Sequence, residues 1–115
     1  MDRQNCHIAL VVQINDEDWW VDAGNGYPYQ YPIKLGDESP KTHPFLKYRV
    51  VPQDNLWVVE HSHNDIWTTN YTFSSDGVDL SSFDEMYELH YTKPGWGPFL
   101  IGLRVNRWWG ENFAI

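Results

Sequence analysis

Short apolar, β-branched stretches separated by polar or Gly/Pro-containing runs set the pattern of this chain, and that pattern predicts strands and turns. Residues 6–14 are apolar and β-branched, Asn15-Asp16-Glu17-Asp18 is a polar turn, and residues 19–23 return, which predicts a hairpin. Gly24-Asn25-Gly26-Tyr27-Pro28 breaks the ladder. Residues 29–35 resume as an edge strand, the kind of strand in which Pro32 is tolerated. Residues 36–44 read as loop from their Gly, Asp, Ser and Pro content. Residues 45–51 and 56–61 predict a second hairpin across Pro52-Gln53-Asp54-Asn55, and residues 66–73 return after Ser62-His63-Asn64-Asp65. Those three consecutive antiparallel strands form a meander.

Helical spacing occurs once. Phe83, Met86, Tyr87 and His90 recur at helical intervals behind a Ser82-x-x-Glu85 capping box, predicting a short helix over 82–91 that Pro94-Gly95 stops. A last long strand is expected over 99–105, with a turn at Trp108-Trp109-Gly110 into a short strand at 112–115. Seven Trp and seven Tyr are spread over nearly every predicted strand, as suits pleated, half-buried surfaces. The fold expected is mainly β: a single antiparallel barrel-like domain over residues 1–115 with one short helix. At 115 residues such a domain buries roughly two thirds of the surface its unfolded chain exposes.

Charge narrows the partners. Eight basic residues face sixteen acidic ones, a net of −8, so a phosphate backbone or an anionic membrane surface is repelled. Nucleic acid and membrane are therefore not expected as partners. The apolar run near the N-terminus is too short and interrupted for a signal peptide, and no later run approaches a membrane span. A cytoplasmic location is expected. Cys6 is the only cysteine, which excludes an intrachain disulfide.

Candidate chemistry lies in the first hairpin, where His7 opens one strand and Asp22 closes the next. In cysteine-nucleophile enzymes an imidazole takes the thiol proton and a carboxylate fixes its tautomer and orientation. With residues 15–18 as the loop, Ile14 pairs with Trp19 and Val11 lies opposite Asp22. His7 and Asp22 then share a face but stand about 13 Å apart along the strand, at about 3.3 Å per residue. Contact requires strong coiling, a bulge or another register. Cys6 is an unlikely nucleophile, because adjacent strand residues project to opposite faces. Without a neighbouring base, moreover, a thiol ionises near pH 8.5.

The order His7, W-x-V-D-x-G-x-G, a Pro-containing strand ending in PIKL, Y-T-F, a short amphipathic helix and a Pro/Gly/aromatic loop ending at Phe99 resembles the middle part of arylamine N-acetyltransferases. The resemblance spans most of residues 6–105 and implies their central barrel, without the N-terminal helical bundle whose R-G-G-x-C stretch carries the nucleophile. It implies His7 as general base and Asp22 as its orienter, and that the two meet. Gly24, Asn25 and Gly26 match the loop that approaches acetyl-coenzyme A in that family, although a Gly-Asn-Gly turn also serves simply to reverse a strand. Asn25 stands where the family generally has an aromatic residue.

Two readings of function follow. In the first, the chain is acetyltransferase-like with an incomplete triad, inactive alone in acetyl-coenzyme A-dependent N-acetyl transfer, and self-associates through the face the bundle would cover. In the second, it is a binding module that uses Trp19, Trp20, Trp108 and Trp109 for a small aromatic ligand, a sugar or another protein. Glu60, His61, His63 and Asp65 are spaced like metal ligands, but the tip Ser62-His63-Asn64-Asp65 is explained as a polar hairpin turn, and no metal is expected. His43 and His90 carry no functional signal.

Overall fold

The computed structural model describes residues 7–93 and the backbone of residues 107–109 and 112–114. Strands β1 (Leu10–Ile14) and β2 (Glu17–Val21) form an antiparallel hairpin, and β3 (Ile33–Lys34) pairs with the other side of β2. A second antiparallel sheet runs β4 (Lys41–Thr42), β5 (Lys47–Gln53), β6 (Leu56–His63) and β7 (Ile66–Phe73), in that order. A 3₁₀ turn at Leu80–Phe83 leads into α1 (Asp84–Thr92), and β8 (Arg107–Trp109) pairs with β9 (Asn112–Ala114). The expected strand over 99–105 lies outside the described residues.

The described residues are mostly β with one short helix, and among them the expected barrel does not close: the sheets remain separate. Each of the two larger sheets ends on a two-residue strand, β3 or β4, which offers no ladder long enough for the other sheet to join. They meet face to face instead. Trp20 and Ile33 of the first sheet and Tyr48, Val50 and Val59 of the second are buried in one cluster with Tyr29 and Leu46. Trp20 packs edge-on against Tyr29 at 5.5 Å, and Tyr29 lies 5.1 Å from Tyr48. Aromatic pairs in this range add about 0.5–1.5 kcal/mol each beyond the area they bury.

The tips of β1–β2, β5–β6 and β6–β7 are tighter than the polar runs suggested. The turns are Asn15-Asp16, Asp54-Asn55 and Asn64-Asp65, so Glu17 and Asp18, Pro52 and Gln53, and Ser62 and His63 belong to strands. Asn15 and Asp16 have φ of 52° and 63°, and Asn64 and Asp65 have 61° and 64°. These are the paired positive values of a type I′ turn, whose twist matches that of the flanking strands and which Asn and Asp tolerate best after Gly. Flanking polar residues stay in the ladder because its bonds are made by the backbone. The same reason puts Lys41–Thr42, expected in a loop, into β4 opposite Lys47 and Tyr48. Pro52 is accommodated because β4 does not reach that end of β5, leaving the proline on an edge.

Two further expectations change. The edge strand predicted over 29–35 shrinks to Ile33–Lys34, because residues 27–30 curl through the close bonds Tyr29 N–H to Tyr27 O and Gln30 N–H to Pro28 O, both 2.9 Å. The Ser82–Glu85 capping box does not form: Ser82 sits in the 3₁₀ turn, α1 begins after Phe83, and no side chain caps it. No helix among the described residues is long and apolar enough to cross a membrane.

Candidate active site

The two-residue tip moves the β1–β2 register by two from the expected pairing, matching Leu10 with Val21 and Ile14 with Glu17. A shift of two preserves which face each side chain occupies. Continued past β1, this register sets Ala9 across from Asp22, so the offset to His7 falls to about 7 Å at about 3.3 Å per residue. Strand geometry begins only at Leu10, and the chain bends at His7 so that the ring spans the remaining distance. His7 Nε2 lies 2.8 Å from Asp22 Oδ2.

Asp22 closes the hairpin with its side chain fully buried, while a third of the His7 side chain is exposed. Its Oδ2 also accepts from Tyr71 Oη–H at 2.8 Å and from Asn25 Nδ2 at 3.2 Å. Burial pushes the Asp22 carboxyl up, but the bonds from His7 and Tyr71, the charge of His7 and the Asn25 amide outweigh it and hold the group below its ordinary value of 3.8. Asp22 is therefore ionised at neutral pH and can only accept, which places the neutral His7 proton on Nε2. Nδ1 is then a bare base, with no hydrogen-bond partner among the described residues.

Tyr71 braces this arrangement. Its hydroxyl donates to Asp22 and accepts from Trp20 Nε1 at 2.8 Å, and its ring meets His7 edge-on at 5.2 Å. Burial, then the neighbouring Asp22 charge, raise the Tyr71 hydroxyl far above its ordinary value, so it stays a donor. Trp20 reaches Tyr71 from the core, coupling the dyad to the packing between the sheets.

A β-bulge aims two neighbouring residues at the site. Val59 pairs with Tyr71 and Glu60 with Thr69, leaving Asn70 as an extra residue on β7. In a regular strand Asn70 and Tyr71 project to opposite faces, whereas here both reach the interior. Tyr71 binds Asp22, and Asn70 donates to Tyr29 Oη at 2.8 Å. Bulges recur beside active sites because they re-aim side chains in this way. Sequence reading missed Asn70, Tyr71 and Tyr29 as site residues. The only signal was the motif Y-T-F, and a bulge leaves no mark in apolar periodicity.

The other candidates divide. Asn25, between the two loop glycines, binds Asp22, while its Oδ1 accepts from Tyr27 N–H at 3.1 Å. The positive-φ glycines among the described residues are Gly36 and Gly77; Gly24 is not one of them, and a Cβ there would meet no atom within 4 Å, so neither backbone conformation nor packing requires glycine at that position. Cys6 lies outside the described residues. Glu60, His61 and His63 have separate partners: Glu60 pairs with Arg49, His61 Nδ1 accepts from Tyr29 Oη at 2.8 Å, and His63 donates to Phe45 O. No group of metal-ligating side chains occurs among the described residues. Of the tryptophans considered for a ligand platform, Trp20 is fully buried and Trp19 half-buried on the opposite face, so this pair forms no platform. The side chains of Trp108 and Trp109 lie outside the described residues.

Known proteins resemble parts of this chain in sequence and in fold. The chain is 29% identical over 68 residues to an arylamine N-acetyltransferase / N-hydroxyarylamine O-acetyltransferase of Salmonella typhimurium. It is 31% identical over 68 residues to an arylamine N-acetyltransferase of Escherichia coli. Each match covers 58% of this chain and 24% of the relative, so the chain spans about a quarter of the curated relatives it matches. A solved arylamine N-acetyltransferase structure from Salmonella typhimurium superposes with a TM-score of 0.58 at 27% identity, over 70% of this chain and 30% of that one. Residues 1–108, which include the strands and side chains that build the His7–Asp22 pair, match the N-acetyltransferase family model, and the chain belongs to that family.

Proposed function

We propose that this chain carries the base-and-orienter half of a cysteine-dependent N-acetyl transfer site and has no transferase activity alone. The observation that carries the reading is the 2.8 Å bond from His7 to a buried, ionised Asp22, which leaves Nδ1 without a partner among the described residues on a ring one-third exposed. A thiol supplied by polypeptide outside these 115 residues meets His7 at Nδ1. The imidazole takes the thiol proton, and Asp22 stabilises the imidazolium without itself being protonated. The thiolate takes the acetyl group from coenzyme A, whose departing sulfur receives the proton from Nδ1. In the second half the freed nitrogen accepts a proton from the amine as it displaces the cysteine sulfur from the acetyl carbon, a general-base contribution of about 10²–10⁴ in rate.

Acetyl-coenzyme A is the acetyl donor consistent with the family, supplying the acetyl group as a thioester. The open space beside Gly24, next to Asp22, gives it an approach along the loop of residues 24–26. An arylamine or hydrazine is the acceptor class, by analogy with the names of the relatives.

The test is to incubate the chain with acetyl-coenzyme A and an arylamine while following free thiol release, with and without a helical segment bearing R-G-G-x-C. No turnover is expected from the chain alone. Turnover is expected on adding the segment, and its loss in His7→Ala. Turnover by the isolated chain that Cys6→Ser abolishes would overturn the reading.

A further inference from the structure

Asn25 uses both ends of its amide. Nδ2 donates to Asp22 Oδ2 at 3.2 Å, and Oδ1 accepts from Tyr27 N–H at 3.1 Å, closing an Asx turn over the loop. Asn70 Nδ2, brought inward by the bulge, lies 3.5 Å from the same Oδ1 and donates to Tyr29 Oη at 2.8 Å. Tyr29 in turn packs on the residue whose N–H closes that turn, with the Tyr27 and Tyr29 rings stacked at 6.1 Å. The amide thus joins three things that the backbone holds apart: the orienting carboxylate, the glycine loop and the bulged strand.

A turn needs only an acceptor at Oδ1. The donor on Asp22 is a separate use of the side chain, made to the oxygen that also binds His7 and Tyr71. Three donors converging on one carboxylate oxygen fix its rotamer more tightly than His7 and Tyr71 can alone. They also tie that rotamer to the loop that borders the open space at Gly24.

We propose that Asn25 is a positioning residue for His7, acting through Asp22, and that it makes the loop of residues 24–27 and the dyad one mechanical unit. This rests on the reading of His7 as the base. A ligand that displaces the loop consequently disturbs the imidazole, and one that orders the loop sets it.

Asn25→Asp separates the two uses of the side chain. A carboxylate still accepts from Tyr27 N–H, so the Asx turn survives, but it cannot donate to Asp22 and places a like charge beside it. Asn25→Ala removes both bonds. The readout is ¹⁵N and ¹H resonance of the His7 ring in the 115-residue chain, so no activity is needed. Expected is displacement of the His7 Nε2–H resonance in both variants. The loop amide signals should be retained in Asn25→Asp. His7 signals unchanged in Asn25→Asp, with only thermal stability lowered in Asn25→Ala, would reduce Asn25 to a turn residue and overturn the proposal. If acyl transfer never appears with the added thiol segment, the proposed function fails while the His7 resonances still answer for Asn25.

Discussion

The hairpins β1–β2 and β6–β7 turn through the same chemistry, Asn15-Asp16 in one and Asn64-Asp65 in the other, all four residues at φ between 52° and 64°. Their surroundings differ completely. Every residue of β1 is exposed, whereas β6 is central in its sheet and buries Val58, Val59 and Ser62. Turn chemistry sets register locally, and register alone decides which residues share a face. It does not decide whether a face is covered. β2 illustrates the division inside one strand: Trp20 is fully buried against the second sheet, and its neighbour Trp19 faces a groove of about 310 Å³ with Val12, Ile14, Val21 and Pro32.

The largest expected effect tests that division directly. Trp20→Ala removes the core anchor and the donor to Tyr71 and is expected to cost about 3–5 kcal/mol. Trp19→Ala on the other face should cost about 1 kcal/mol. Urea denaturation compares them, and equal losses would mean that the two faces of β2 are not distinct in packing.

Acid should loosen the two sheets in a defined order. Burial pushes His43 and His61 below their ordinary value of 6.5, so the folded state favours their neutral forms. Their contribution is fully present above pH 6.5 and is lost as pH falls below it. Asp22 is held below 3.8, so its contribution is present above that pH and is lost as pH falls through the lowered folded value. Amide protection factors are therefore expected to fall first around β4 to β6, as the pH drops below 6.5. The β1–β2 hairpin and its His7–Asp22 bond should hold until below pH 3.8. The reverse order would break the assignment of His61 to the buried Tyr29 bond.

The smallest effect on stability concerns the uncovered face. Ile14 is 53% exposed, and Ile14→Asp should change stability by no more than about 0.5 kcal/mol. We propose that this face, with the edge of β1 that pairs with no strand among the described residues, associates with a second copy of the chain. Light scattering at micromolar concentration should then register a larger species for the unchanged chain than for Ile14→Asp. A monomer in both cases would sink that association.

How much of the site was legible follows from the same contrast. His7 and Asp22 are named by their motif, and their shared face by the period of two along a strand. The contact between them was not readable from spacing. A four-residue tip leaves them about 13 Å apart at about 3.3 Å per residue, and only the positive φ at Asn15 and Asp16 draws the strands two residues closer. Tyr71 was invisible as a partner because it lies 49 positions from Asp22 and depends on a bulge. Asn25 was legible as a loop residue but not as a donor, since nothing in Gly-Asn-Gly says which way the amide faces.

The sequence by itself determined the mostly β character, the hairpin order, the single short helix and the dyad, because these follow from local propensity, period and motif. Tertiary structure alone decided that the described sheets pack face to face without closing on one another, that Trp20 is core while β1 is exposed, and that three donors converge on one oxygen of Asp22. Those outcomes depend on where distant segments meet, and the burial that selects among them belongs to no segment taken alone.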